Sequence, residues 1–143
     1  MAKDDIKFLI KKIYAKDISL ESPAAPKIFD DKTIQPKLGF NLNSSIDKVD
    51  DTSYEITLEI NVKAEIPEQV IYLVEVKQSG VFVIEGASDE IKQGFLNVRC
   101  PEIIFPYARE NISSLIQRAG FPPLFISPVD FNALYQQELA KTK

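Results

Sequence analysis

Side chains able to carry covalent or metal chemistry are scarce in this chain, and that scarcity narrows its function first. Histidine is absent and Cys100 is the single cysteine. A Ser-His-Asp or Cys-His nucleophile cannot be assembled without an imidazole, and the common zinc sites need more Cys and His ligands than one copy supplies. The five glycines form neither GxGxxG nor a phosphate-cradling P-loop. Neighbouring carboxylates do occur, at Asp30–Asp31 and Asp50–Asp51. A glycosidase-type pair needs one acid raised by an apolar pocket, whereas both of these pairs sit in polar, turn-like stretches. The residue types point away from an enzyme, a metal or a cofactor and toward function by binding.

Bulk properties bound the partner. Hydrophobic residues make up 45% of the 143 positions and charged residues 27%, the balance of a folded chain with one core. A formal net charge of -4 disfavours a phosphate backbone, which calls for clustered Lys and Arg, and suits a basic partner. With one cysteine no intrachain disulfide can form, which fits a reducing compartment. The start, "MAKDDIKFLIKKIYAKD", lacks the apolar run of a signal peptide, and no stretch is long enough to span a membrane. The expected location is the cytoplasm.

The elements that must position any binding surface read as strands first and helices afterwards. Residues 6–20 form a first strand whose alternation slips, so a bulge near Lys11–Lys12 or Lys16 is expected to reset its faces. "ESPAAPKIFDDKTIQP" follows, a long loop with three prolines, and loops of that length in compact domains tend to be functional. Leu38, Phe40 and Leu42 mark one face of a second strand. Tyr54, Ile56, Leu58, Ile60, Val62 and Ala64 alternate with polar residues in a third, a strand with one buried face and one wet face. "IPEQ" turns the chain into a fourth strand, apolar on both faces, from Val70 to Gly86. Short turns join strands two to four in an antiparallel meander.

The period then becomes helical. Residues 88–97 are read as a short helix. A long one follows "CPEIIFPYAREN", with Pro101 suited to its first turn and an apolar stripe at 104, 108, 112, 115, 116 and 119. Gly120 fits a C-terminal cap and Pro122–Pro123 stop the helix. Asp130 caps a last helix with the stripe Phe131, Leu134, Tyr135 and Leu139. The fold class is α+β: a four-stranded antiparallel sheet, a long helix and a C-terminal helix in a single domain over 1–143, with 1–5 and 140–143 expected to be flexible. Its apolar surface exceeds what one small subunit hides, which favours an oligomer.

The blocks "KIYAKDISLESPAAPKIF", "YLVEVKQSGVFVIEG" and "CPEIIFPYARENISSLIQRAGFPPLFISPVDFNALYQQEL" resemble the SecB family of protein-export chaperones, from about residue 6 to residue 139. The resemblance implies a cytoplasmic, ATP-independent holdase of Gram-negative bacteria, assembled as a homotetramer, a dimer of dimers, with its long helices in the middle. Such a protein keeps exported preproteins unfolded and delivers them to the SecA translocation motor, without nucleic acid, cofactor or stable membrane insertion. The resemblance also implies site residues. Asp17, Glu21, Leu73 and Glu75 correspond to the SecA-binding surface. Val74, Val76 and Gln78 correspond to positions that influence how dimers pair into the tetramer. Ile34, Leu38, Phe40 and Leu42, with Phe131, Leu134, Tyr135 and Leu139 opposite, correspond to a client-binding groove. Ile103, Ile104 and Phe105 would pack largely against other subunits, and Cys100 reads as a buried small hydrophobe.

Two departures stand out: Ile34 occupies a place where the family often has tryptophan, and "AKTK" replaces an acidic C-terminal extension. Two other functions keep the resemblance or the fold: a SecB-like chaperone serving a toxin–antitoxin system, and an oligomeric interaction protein that binds no unfolded chains. Retention of the Asp17, Glu21, Leu73, Glu75 set favours export over the antitoxin role.

Overall fold

The computed structural model describes residues 5–141. Strands β1 (Lys7–Glu21), β2 (Lys37–Lys48), β3 (Ser53–Ile66) and β4 (Gln69–Glu85) form one antiparallel sheet in the order β1-β4-β3-β2. Strands two to four are the expected meander. The segment between β1 and β2 carries the chain from one edge of the sheet to the other, with a single 3₁₀ turn at Lys27–Asp30. The β3–β4 connection is the pair Pro67–Glu68, in which Glu68 takes a φ of 68° after the proline, the backbone of a type II turn.

The slipped alternation of β1 has the expected cause. Its register skips Lys11 and Lys16, so two single-residue bulges each reset the faces. As a result Phe8, Ile10, Ile13, Ala15, Ile18 and Leu20 all pair with the β4 residues Ile84, Phe82, Gly80, Gln78, Val76 and Val74 and share one face of the sheet. Continuing across the sheet on that face are Ile56, Leu58, Ile60, Val62 and Ala64 of β3, nearly all of their surface removed from water. The opposite face is more polar, carrying Glu55, Glu59, Lys63, Glu75 and Lys77 beside Leu9, Leu73, Val81 and Val83.

A helical run covers the apolar face. Ser88 caps α1 (Asp89–Gly94) by accepting the Ile91 N–H. One π turn, Phe95–Arg99, leads without a break into α2 (Cys100–Arg118). The short helix expected over 88–97 is present, and it runs on into α2 without a break: Gly94, Arg99 and Cys100 all hold right-handed helical angles. Pro101 has no N–H and its ring crowds the carbonyl four residues back. Widening the preceding turn, with the Cys100 N–H reaching the Phe95 carbonyl, absorbs both penalties in the manner of a π-bulge.

Ile104, Ala108, Ile112 and Ile116 of α2 are wholly buried against β4 and β3. Their spacing is the i, i+4 row of one helix face. Gly80 sits at the crossing. A Cβ there would stand 2.9 Å from the Phe82 ring, so glycine leaves room for that ring, while Ile104 at 3.4 Å would be in ordinary contact. Cys100 is fully buried, and burial pushes its thiol up to about 12, which makes it unreactive.

Gly120, with φ +93°, ends the helix. Its N–H reaches the Gln117 carbonyl and the Phe121 N–H reaches that of Ile116, a Schellman closure. The extended segment 121–129 leads to α3 (Phe131–Lys141), where the Asp130 carboxylate accepts the Ala133 N–H at 2.9 Å. Helix α3 packs against the π turn. Of the ends expected to be flexible, 1–5 and 140–143, residues 140 and 141 lie in this helix and Asp5 lies just before β1, while residues 1–4 and 142–143 lie outside the described residues.

Candidate functional site: an apolar groove and a polar sheet face

Two surfaces carry the sequence-derived site residues, on opposite sides of the sheet. On the helix side, α2 covers β4 and β3 but leaves the start of β2 bare. Leu38 and Phe40 are each about half exposed, at 48% and 49%. The crossover loop rises over one end of this strip and the segment 121–129 runs along it. A cavity of about 500 Å³ lies between Ile34, Leu38, Tyr72, Phe121 and Leu124. A second, of about 340 Å³, lies between Leu38, Phe40, Val62, Leu124 and Phe125. Leu38 and Leu124 belong to both, so the two form one groove lined almost wholly by apolar side chains.

Aromatic stacking fixes the inner end of the groove. Phe121 packs on Phe29 at 5.2 Å and on Tyr72 at 5.0 Å between ring centroids. Such tilted pairs hold their geometry beyond what burial alone gives. Desolvation raises the Tyr72 phenol above its ordinary value, so it stays neutral. The polar side chains among its lining are few, Asp31, Lys32 and Ser127, and Asp31 accepts the Thr33 N–H and hydroxyl. Those bonds hold its carboxyl below the usual range.

Of the residues expected in the groove, Ile34, Leu38 and Phe40 line it, and Leu42 is half-buried beside them against the core. The residues expected opposite lie apart from these two cavities. Phe131 is buried in the core, edge-on to Phe105 at 5.9 Å. Leu134, Tyr135 and Leu139 line neither cavity and lie on α3, which packs against the π turn. The wall is instead Phe121, Leu124, Phe125, Ile126 and Val129, and Phe125 is 77% exposed. A signal for it exists in "GFPPLFISPV": three prolines forbid helix and ladder alike. Its apolar residues therefore cannot all be hidden in a regular element.

The open face brings the other set together. Asp17 stands opposite Lys77, Ser19 opposite Glu75 and Glu21 opposite Leu73, with Asn61 and Lys63 of β3 next to Glu75 and Leu73. Ser19 donates to the Glu75 carboxylate at 3.3 Å. Asp17, Glu21, Leu73 and Glu75 thus share one surface, an acidic patch around a half-buried leucine. Val74, Val76 and Gln78 point the other way and are buried under the chain's own α2, with Asn111 donating to Gln78 at 2.7 Å. Gln78 also lines a cavity between β1 and α2, and the influence of this set on how dimers pair is kept as a proposal. Among the described residues no group of three or more His, Cys, Asp or Glu could hold a metal ion. No helix among them is long and apolar enough to cross a membrane.

The sequence profile described as "Preprotein translocase subunit SecB" matches residues 1–142. The chain belongs to the SecB family. It is 46% identical over 134 residues to the protein-export protein SecB of Chromobacterium violaceum, covering 94% of this chain and 89% of that one. It is 42% identical over 132 residues to the SecB of Stenotrophomonas maltophilia, covering 92% and 76%. Among solved structures it is similar to the SecB-like chaperone Rv1957 of Mycobacterium tuberculosis, determined in complex with a ChAD peptide from the Rv1956 HigA1 antitoxin. The TM-score is 0.69 at 15% identity, covering 85% of this chain and 90% of that one, a likeness of fold.

Proposed function

We propose that this chain is a preprotein-export chaperone that works by holding unfolded polypeptide in the groove between β2 and the segment 121–129. The observation that carries this reading is the continuous apolar groove with Leu38, Phe40 and Phe125 turned to solvent, in a member of the SecB family. Apolar side chains of an unfolded chain lose water contact on entering it, at roughly 25 cal/mol per Å². Because that force has no direction, many sequences can be held, and no nucleotide or cofactor takes part.

The acidic outer face around Leu73 supports a docking role toward a basic region of the SecA motor, with Asp17, Glu21 and Glu75 supplying charge and Leu73 an apolar anchor. Self-association into a dimer of dimers is supported by a third surface. There, Tyr107 lines a cavity of about 480 Å³ with Ile13, Ala15 and Pro106, and Ile10 and Ile18 remain exposed on the same face of β1. Several grooves on one assembly would add avidity along a long client. The proposed place of work is the cytoplasm.

Light scattering behind size exclusion tests the holding function, with a denatured preprotein diluted into the sample. The expected result is a soluble complex with the unfolded client and none with the same protein folded. Replacing both Leu38 and Phe125 by Glu should weaken the complex by at least about tenfold, the scale of one buried apolar side chain. A double variant that holds the client as well as the parent does would remove the groove from the mechanism.

A further inference from the structure

The groove is built on a break in the sheet that its lining alone does not reveal. Along β3–β4 the pairing runs in step from Ser53↔Val83 to Ala64↔Tyr72, and then Glu65 pairs with Val70. Ile71 is left without a partner, a one-residue bulge. In a regular strand successive side chains point to opposite faces. Here Ile71 and Tyr72 are consecutive, yet both are buried and both line the same inner cavity. The bulge also falls where β4 has lost its other neighbour, since β1 pairing ends at Glu21↔Leu73. Nothing on that side holds the strand straight.

Across the cavity, Phe29 packs over Gly120 so closely that a Cβ there would sit 3.0 Å from the ring. The floor and the roof of the inner end therefore both depend on backbone irregularities. Only the bulge lies on the rigid sheet.

Resting on the reading of this groove as the client site, we infer that the Ile71 bulge is a positioning device for client selection. By turning Ile71 and Tyr72 to the same side it shapes the inner end of the groove to receive one bulky apolar side chain. Ile71 and its backbone act through the shape of the cavity rather than by any polar contact with the client.

Deletion of Ile71 is a clean test, because every existing β3–β4 pair is retained and the hairpin simply becomes regular. The probe is a short, unstructured, fluorescein-labelled host peptide of Ala, Ser and Lys carrying one central guest residue, Phe, Leu or Ala. Its binding is followed by anisotropy. The unaltered protein should bind the Phe and Leu guests at least about tenfold more tightly than the Ala guest. Deletion of Ile71 should bring that ratio close to one, whereas Ile71→Ala, which keeps the bulge, should leave a clear preference. General loss of stability would weaken all guests alike and leave the ratio unchanged.

If the deletion fails to fold, an alanine inserted between Ala64 and Glu65 gives Ile71 a partner and removes the bulge without removing a side chain. Equal ratios in the unaltered and regularised proteins overturn the inference while leaving the groove as the client site. Equal losses in the deletion and in Ile71→Ala also overturn it, assigning the effect to the side chain. No guest preference in the unaltered protein overturns the groove reading itself.

Discussion

The most perturbed polar group on the open sheet face is Tyr14. Its hydroxyl donates to Glu55, and Lys16, the residue displaced by a bulge, reaches the other oxygen of the same carboxylate at 2.9 Å. Burial and the neighbouring carboxylate push the Tyr14 phenol up to about 12, while the two donors hold Glu55 below its ordinary value. The two shifts act at opposite ends of the pH scale. A phenol raised in the folded chain contributes stability that is complete below its ordinary value of 10.0 and is lost as pH climbs toward 12. The depressed Glu55 contributes stability above the ordinary carboxylate range and loses it as pH falls through its folded value. Absorbance titration should show Tyr14 and Tyr72 both ionising above the ordinary phenol range in the folded protein, and Glu55→Gln should move the Tyr14 step back toward that range. Tyr14→Phe should remove the step and flatten the alkaline limb of the stability curve; an unchanged late step would mean that another tyrosine carries it. The sequence showed Lys16 as a bulge candidate. It did not show the carboxylate beyond β4 that this lysine reaches, because which side chains meet across three strands depends on register.

Elements were legible to the extent that their signals were local. All four strands, the cap at Asp130 and the stop at Gly120 follow from alternation, side-chain chemistry and left-handed backbone. What misled was punctuation read one residue at a time. Pro101 marks a helix start by its type, yet a π turn before it lets the helix pass straight through. Phe131, Leu134, Tyr135 and Leu139 have helical spacing, but spacing says nothing about which partner a helix meets, and α3 meets the π turn. The groove wall fell to a segment with no period at all. Gly120 joins the helix to that wall, so its conformation bears on both. Gly120→Ala would place a methyl 3.0 Å from the Phe29 ring on a backbone with φ +93°. It is expected to cost about 1–2 kcal/mol and to weaken client binding by displacing Phe29. A thermal melt and the peptide assay together test it; a variant with lowered melting temperature and unaltered affinity would show that Phe29 does not shape the groove.

Taken whole, the subunit is a sheet with three unlike surfaces: an apolar groove at the β2 side, an acidic outer face, and an uncovered strip beside α2 at the β1 side. Tyr107, 51% exposed on the helix next to that strip, lies on the surface proposed for self-association. Tyr107→Asp is expected to lower the mass seen by light scattering at equal concentration while the far-ultraviolet circular dichroism stays that of the parent. A parent protein that runs as a monomer would refute the expected assembly. The strand order carries a further consequence, for the moment of synthesis. Strand β1 is the first made, yet its only neighbour in the sheet is the last strand, with Lys7 paired to Glu85 and Glu21 to Leu73. On the ribosome, where chains emerge at about 5–20 residues per second, it must wait several seconds for β4. Meanwhile β2, β3 and β4 can close as local hairpins, since short loops close fastest. The waiting strand is apolar along one face, and its lysine bulges keep it from lying flat against another nascent chain. A chaperone of unfolded chains thus passes through its own early life in the state of its clients, with its first strand unpartnered until more than half of the molecule exists.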